Sequence, residues 1–393
     1  MTLSRRAGGV LFSKGFRPFF LGAAAFAALA VPLWLIALNS GFQPGGALGA
    51  MQWHAHEMLF GFSTAVIAGF LLTAVSNWTG RETAVGAPLL ALNAIWLLGR
   101  IALFCAASLP RPLPLLIDLA FLPALIFACA RPIILARNRR NYAIVLLLVA
   151  LWLANGWAHF GALHGDLSAV RGAHRAALDV ISLLICIVTG RVVPMFTRNA
   201  TQRPEIRTQP GLEYATSASL SLLLLLDVSG FSEPTGSLVA ALAGAFSLAR
   251  MRRWGAAHAA REPLLWVLHL GARWLAIALL LRAAAGYWPP LPATSALHSL
   301  TAGAIGTLTL GMMARVSLGH TGRALHASPQ VTLAFIFVLA AGVSRVVGPF
   351  LPSSAYLTAL SISGALWSAA FLIFFAVYAK ILCSPNVATS ARR

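Results

Sequence analysis

Long apolar runs alternate with short polar connections along the whole chain. The runs lie near residues 17–38, 55–76, 85–107, 113–135, 142–163, 174–195, 212–230, 234–250, 263–284, 294–315, 330–350 and 356–382. Most reach the roughly 20 residues that an α-helix needs to cross a hydrocarbon core, and they lack the period-2 alternation of barrel strands. The pattern predicts an all-α, polytopic membrane helix bundle of twelve transmembrane helices, with residues 1–393 forming a single integral-membrane domain. The eighth run is short and contains glycine, so it is the weakest of the twelve.

Composition and charge support a membrane protein. Hydrophobic residues make up 59% of the chain and charged residues only 10%, which excludes an ordinary soluble enzyme. The net charge is +19, but twenty-two Lys and Arg side chains, including Arg5, Arg6, Arg392 and Arg393, fall in one set of alternate connections, and three fall in the other set. Because cytoplasmic connections retain positive charge, both termini are expected in the cytoplasm. The positive charge is therefore explained by the orientation of the helices in the membrane. The expected partner is the lipid bilayer and not nucleic acid.

Histidines are concentrated at one end of the predicted helices. Six of the ten lie at or near the outer ends: His54, His56, His159, His164, His174 and His298. Neutral imidazole is a common ligand for haem iron and for copper, and it avoids the cost of a permanent charge at membrane depth. His54 and His56 are about 200° apart around a regular helix, so there they cannot both face one centre. They could serve two centres, or one could lie before the first helical turn. Glu57 is expected either to accept a ring N–H or to pair with an arginine.

An internal repeat relates the second, sixth and tenth predicted helices. In each of them a threonine follows a histidine by 23 residues: His56 to Thr79, His174 to Thr197 and His298 to Thr321. We expect three four-helix units, over residues 1–135, 136–253 and 254–393, about a pseudo-threefold axis. The three histidines would then lie at the same depth in the outer leaflet.

Several longer motifs resemble the NnrS family, and the resemblance covers nearly the whole chain. They are FRPFF at 16–20, WHAHEMLFG at 53–61, GFLLTAVSNWTG at 69–80, GRVVPMFTRN at 190–199 and SLGHTGR at 317–323. The resemblance implies a polytopic bacterial inner-membrane protein that binds haem and copper and acts in the response to nitric oxide and nitrosative stress. It implies nitric oxide as the small-molecule partner but assigns no enzymatic reaction.

The cofactor residues are assigned from depth and repeat. We expect a non-covalent haem b in the outer leaflet, because the sequence lacks a CxxCH motif. Its ligands are expected among His54, His56 and His298, with His269 and Arg273 as further cofactor-binding residues. The remaining imidazoles, led by His159 and His174, are expected to hold copper. The metal candidates are therefore His54, His56, His159, His174 and His298.

Arginines inside the predicted spans have two interpretations. Arg100, Arg282 and Arg345 either extend to the membrane surface or pair with a haem propionate. Arg273 lies deeper, and its expected partner is Asp118, Asp179 or a second haem.

Two other functions fit parts of the pattern. A secondary transporter of a small molecule or metal also has twelve helices, but its site is expected at the midplane, often with acidic residues. A haem–copper-type oxidoreductase acting on nitric oxide would carry an adjacent His-His pair, which is absent from the sequence. An optical spectrum separates the transporter from the haem protein, because only the latter has a Soret band.

Overall fold

Helices account for all the regular structure in the computed structural model, which describes residues 9–231 and 233–387. The twelve long helices are α1 Phe16–Ser40, α2 Gly46–Thr79, α3 Ala87–Phe104, α4 Pro112–Leu135, α5 Arg139–Leu163, α6 Leu167–Thr201, α7 Pro210–Ser229, α8 Glu233–Met251, α9 Pro263–Tyr287, α10 Ala293–His320, α11 Pro329–Phe350 and α12 Ser353–Leu382. Every predicted run falls on one of them. The terminal arginines of the charge count, Arg5, Arg6, Arg392 and Arg393, lie outside the described residues.

Eleven of these helices are long and apolar enough to cross a membrane. The exception among the described residues is α8, which corresponds to the weakest predicted run. The helices confirm the polytopic all-α bundle, and the chain is a multi-pass membrane protein.

The chain divides into two compact units. Unit 1 comprises Met1–Ala177, Met313–Ala324 and Phe374–Arg393, and unit 2 comprises Leu178–Met312 and Leu325–Ile373. Unit 1 thus contains α1 to α5, the beginning of α6, the end of α10 and the end of α12. The single domain with three four-helix repeats stays a prediction.

Small residues allow the helices of unit 1 to pack closely. The buried residues of α1 include many alanines, and Phe19 and Phe20 of the same helix are fully buried. A Cβ at Gly69 of α2 would lie 2.7 Å from the Phe20 ring, so glycine is needed for this approach. Lipid tails are as apolar as the side chains, so such contacts between helices depend on close packing.

Arg17, the arginine of the FRPFF motif at the start of α1, binds the C-terminal segment. It is 2% exposed, and its Nη1 donates to the carbonyls of Leu382, at 2.6 Å, and Ser384, at 2.8 Å. Its Nη2 donates to Asn386 Oδ1 at 2.7 Å. A cation at the carbonyl end of α12 also complements the helix dipole. Arg17 therefore fixes the C-terminal segment in unit 1.

Two helices share an unusual backbone conformation. A seven-residue π-helical segment follows His56 directly in α2, Glu57–Ser63, and another follows His298 directly in α10, Ser299–Ile305. A glycine with positive φ follows each helix, Gly80 at 64° directly after α2 and Gly322 at 69° two residues after the end of α10. By contrast α6 is one continuous α-helix at His174. π-Helical segments are rare and often occur at functional sites, so these two indicate where to look for a site.

Candidate metal centre

Two histidines and one aspartate converge inside unit 1. His56 Nε2 lies 3.4 Å from Asp118 Oδ2, and His159 Nε2 lies 2.8 Å from the same oxygen. The three side chains are buried, with His56 0%, Asp118 2% and His159 4% exposed. Each offers one ligand atom within 4.8 Å of the other two. We call these three residues the histidine–aspartate cluster.

The local structure of three helices brings these side chains together. His56 ends the regular α-helical turn Gly49–His56, immediately before the π-helical segment of α2. Asp118 lies near the end of Pro112–Leu119, where α4 is interrupted before it resumes at Phe121. His159 lies on α5, four residues after Asn155, so both side chains face the same way.

Asn155 links the two sides of the cluster. Its Oδ1 lies 2.9 Å from His56 Nε2, and its Nδ2 donates to Asp118 Oδ2 at 2.9 Å. An amide can do both because it carries an acceptor oxygen and a donor nitrogen. Asn155 thus fixes the orientation of the His56 ring relative to the carboxylate.

Arg100 of α3 joins the cluster to a second carboxylate. Its Nη1 donates to Glu57 Oε2 at 2.7 Å, and its Nη2 donates to Asp118 Oδ1. Glu57 is 1% exposed and Arg100 is 5% exposed, so the whole group is removed from solvent. With both carboxylates ionised and the imidazoles neutral, one guanidinium against two carboxylates leaves one negative charge in the buried group.

Two glycines make room for this ion-pair network. A Cβ at Gly61 would lie 2.6 Å from Glu57 Oε2 and 2.8 Å from Arg100 Nη1. A Cβ at Gly99 would lie 3.3 Å from the Asp118 Cα, so Gly99 lets α4 approach α3. The Gly61 carbonyl, within the π-helical segment, also accepts a hydrogen bond of 2.9 Å from Trp96 Nε1.

His174 lies next to the histidine–aspartate cluster. Its ring centroid is 6.3 Å from that of His56, while the rings of His56 and His159 are 4.9 Å apart. The buried atoms of this region that have no hydrogen-bond partner among the described residues include His174 Nε2, His56 Nδ1, Glu57 Oε1 and Arg100 Nε. Buried polar atoms are nearly always bonded, so this set is consistent with an additional ligand or water.

The spacing of the cluster suits a transition-metal ion. Nitrogen and oxygen ligands about 2.0–2.2 Å from one metal ion are at most about 4 Å from each other. The 2.8 and 3.4 Å separations lie within that limit. Imidazole and carboxylate are also the ligand types that copper and non-haem iron accept. The residues present therefore fit a metal ion.

The other predicted histidines do not belong to this cluster. His54 stacks on Trp34 in unit 1, with ring centroids 4.0 Å apart and planes at 12°. It thus faces different surroundings from His56, as the angular separation on the helix requires. In unit 2, His298 Nδ1 lies 3.3 Å from Thr301 Oγ1, and His269 Nε2 lies 2.9 Å from Thr197 Oγ1.

A second haem as the partner of Arg273 stays a prediction, but the two acidic partners expected for Arg273 were wrong. Its side chain is exposed, whereas Asp118 pairs with Arg100 and Asp179 pairs with Arg282 at 3.5 Å. In unit 2 Arg282 also donates to Asp227 Oδ1 at 2.6 Å. The two acidic residues expected to neutralise Arg273 therefore serve other arginines.

The interpretation of Arg100 as an interfacial side chain was also wrong. It is buried and paired with Glu57, which confirms the alternative that Glu57 binds an arginine. Sequence reasoning also missed Asn155 and Asp118 as members of the site. The available signal was the four-residue spacing of Asn155 and His159, two polar residues on one face of an apolar helix.

The comparisons with known proteins identify the family. The family model described as NnrS protein matches residues 10–386, nearly the entire chain. No curated protein matches the chain. The matched region includes both π-helical segments and every residue of the histidine–aspartate cluster. The chain therefore belongs to the NnrS family, a family of the nitric oxide response.

Proposed function

We propose that this chain is a metalloprotein of the nitric oxide response that holds copper at the histidine–aspartate cluster. The observation that carries the proposal is the convergence of His56 Nε2 and His159 Nε2 on one buried Asp118 oxygen. His174, whose Nε2 has no hydrogen-bond partner among the described residues, would be a third imidazole ligand.

Charge and ligand type both favour this ion. A buried group with one surplus negative charge is stabilised by a cation, since an unpaired charge in a membrane is costly. Three nitrogen donors and one oxygen donor suit copper, which stands highest in the affinity order of divalent metals. Copper would supply a site for nitric oxide binding and one-electron exchange.

The surrounding residues would position the ligands. Arg100, held by Glu57, fixes one oxygen of Asp118 and leaves the other directed at the two histidines. Asn155 fixes the His56 ring. Supporting hydrogen bonds of this kind typically change metal affinity by about 10–100-fold. Nitric oxide is small and neutral, so it would enter through the bilayer without a polar channel.

Haem b is proposed as a second cofactor outside the cluster. A cavity beside His159, lined also by Gly45, Leu48 and Leu103, has a volume of about 60 Å³. Ligand pockets usually measure about 300–1,000 Å³, so a macrocycle does not fit in this cavity. The histidines outside the cluster that are proposed as haem ligands are His54 of unit 1 and His298 of unit 2, each as a separate candidate. We further propose a location in the bacterial inner membrane, with both termini in the cytoplasm and the metal centre near the periplasmic side.

The test is metal analysis of the purified full-length chain after incubation with copper. His159→Ala and Asp118→Asn are expected to lose most of the bound copper. His164→Ala is the matched control, because His164 lies one residue after α5 but is exposed. Equal copper content in the parent and both cluster variants would exclude this site, and iron in place of copper would overturn the choice of metal.

Two spectroscopic measurements complete the test. Nitric oxide added to the anaerobic, reduced, copper-loaded protein should change its optical and spin-resonance spectra, and no change would exclude direct binding. A Soret band that weakens in His54→Ala or His298→Ala would support the haem proposal. A protein with neither metal nor haem would favour the transporter alternative.

A further inference from the structure

A second candidate site lies in unit 2, between two connections. Residues 202–209 link α6 to α7, and residues 252–262 link α8 to α9. Between them lies a cavity of about 500 Å³. It is lined by Glu205, Ile206, Arg207, Arg252, Arg253, Gly255 and His258. We call it the arginine groove.

The floor of the arginine groove is held in place by packing and by the backbone. Ile206 is 2% exposed and Trp254 is fully buried, so each connection is anchored in unit 2. The Arg207 N–H donates to the Arg253 carbonyl at 3.1 Å, which ties the two connections together. Gly255 has φ of 76°, and a Cβ there would lie 2.8 Å from Ile206 Cγ1. Glycine is therefore required where the second connection turns against the first.

The groove carries a strong positive charge. Its lining has three guanidinium groups and His258 against the single carboxylate of Glu205. That carboxylate pairs with Arg203 at 3.2 Å outside the lining. Hydrogen bonds from its own backbone N–H and from Arg203 hold the pKa of Glu205 below its usual range, so it stays ionised and paired. The side chains of Arg207, Arg252 and Arg253 have no ion-pair partner among the described residues.

We infer that the arginine groove binds a phosphate group, as a monoester or a diester. The planar guanidinium presents paired donors that match phosphate oxygens, and three such groups line one cavity. A volume of about 500 Å³ lies within the usual range for ligand pockets. No part of this inference depends on the metal centre.

The position of the groove defines the possible sources of that phosphate. Two helices end beside it, α6 at Thr201 and α8 at Met251, and two begin beside it, α7 at Pro210 and α9 at Pro263. It therefore lies at a membrane surface, on the arginine-rich side that the charge pattern predicts to be cytoplasmic. Both an anionic lipid headgroup and a soluble phosphate can reach such a site, and basic pockets at this level are known lipid sites.

The experiment measures thermal stabilisation of the full-length chain in lipid nanodiscs. One arm compares pure phosphatidylcholine with mixtures that contain phosphatidylglycerol or cardiolipin. The other arm keeps phosphatidylcholine and adds inorganic phosphate or pyrophosphate, with chloride at matched ionic strength. A ligand that binds only the folded state raises the unfolding temperature as its concentration rises.

The main variant is Arg207→Gln/Arg252→Gln/Arg253→Gln. Its matched control is Arg131→Gln/Arg137→Gln/Arg139→Gln, which removes the same charge from exposed positions between the last turn of α4 and the first residue of α5. A third variant replaces the groove arginines by lysine, which keeps the charge but loses the paired donors. The unfolding temperature of every variant in pure phosphatidylcholine without phosphate reports whether the variant remains folded.

The unfolding temperatures distinguish a lipid headgroup from a soluble phosphate as the ligand. A shift with anionic lipid alone, lost in the groove glutamine variant and kept in the control, would identify a lipid headgroup. A shift with phosphate or pyrophosphate in phosphatidylcholine, with the same dependence on the groove, would identify a soluble phosphate. The lysine variant is expected to show a reduced shift. No shift of the parent chain in either arm, or an equal loss in groove and control variants, would overturn the inference.

Discussion

Replacement of Arg100 by glutamine should strongly destabilise unit 1. The guanidinium bridges Glu57 and Asp118, and all three side chains are at least 95% buried. Glutamine is shorter than arginine; it keeps one donor group but removes the positive charge. The buried group would then change from one surplus negative charge to two.

The expected loss of unfolding free energy is about 3–5 kcal/mol, the usual cost of removing one partner from a buried ion pair. Lys14→Gln is the matched control in the same unit. Lys14 Nζ lies 2.6 Å from Glu82 Oε1, almost the same distance as in the buried pair, but these side chains are 40% and 57% exposed. Exposed pairs contribute only about 0–1 kcal/mol. Burial, and not distance, is therefore expected to decide the difference between the two variants.

The assay is denaturation by sodium dodecyl sulfate in mixed micelles, followed by tryptophan fluorescence. Glu57→Gln/Arg100→Gln restores the original surplus of one negative charge, so it should be more stable than Arg100→Gln alone. The coupling between the two positions is expected to be about 1–3 kcal/mol. A loss below about 1 kcal/mol for Arg100→Gln, or no recovery in the double variant, would refute the charge-balance reasoning.

Three further changes test other parts of the structure. Gly61→Ala should cost about 1–3 kcal/mol of unfolding free energy in the same assay, because its Cβ would crowd the bound carboxylate and guanidinium. Arg17→Gln should speed tryptic cleavage near the end of α12, because three hydrogen bonds to the C-terminal segment are lost. Asp166→Ala should lower the unfolding temperature at pH 7. Hydrogen bonds from the Ala169 backbone and the Ser168 side chain hold the pKa of Asp166 below its usual range. Its stabilising effect is therefore present above about pH 4 and is lost as the pH falls through the lowered pKa.

Gly156→Ala is the control for Gly61, because a Cβ there meets nothing within 4 Å, and it should gain up to about 1 kcal/mol from higher helix propensity. Equal effects at the two glycines would show that crowding at the ion pair is unimportant. Equal tryptic cleavage in Arg17→Gln and Lys14→Gln would show that Arg17 does not hold the C-terminal segment. An effect of Asp166→Ala that is as large at pH 3 as at pH 7 would exclude the charged form as its cause.

The helices could be predicted well because their signal is local. A run of about 20 apolar residues must form a helix in lipid whatever surrounds it, since every backbone group needs a partner within the segment. All twelve predicted runs accordingly coincide with helices. The separation of His54 from His56 was also predictable, because it depends only on the angle between neighbouring residues on one helix.

The partners of the buried polar residues were not predictable in the same way. His56 and Asn155 are 99 residues apart, and Asp118 and His159 are 41 apart. Which of these side chains meet depends on the rotation of each helix and on the interruption of α4, and an apolar pattern around the whole helix leaves that rotation undetermined. Arg100 illustrates the result, since its position near a helix end suggested an interfacial side chain until its two carboxylate partners were located.

The sequence by itself thus determined the number and approximate positions of the helices and the family, and it singled out the histidines. The tertiary structure decided that His56 and His159 share Asp118, that His54 stacks on Trp34, and that Asn155 and Arg100 hold the ligands in place. It also revealed the π-helical segments beside His56 and His298, which contain no proline and one glycine each, Gly61 and Gly303. The physical reason is the same in each case. Backbone hydrogen bonding in lipid is satisfied within one segment, whereas a buried charge or imidazole must find its partner on another helix.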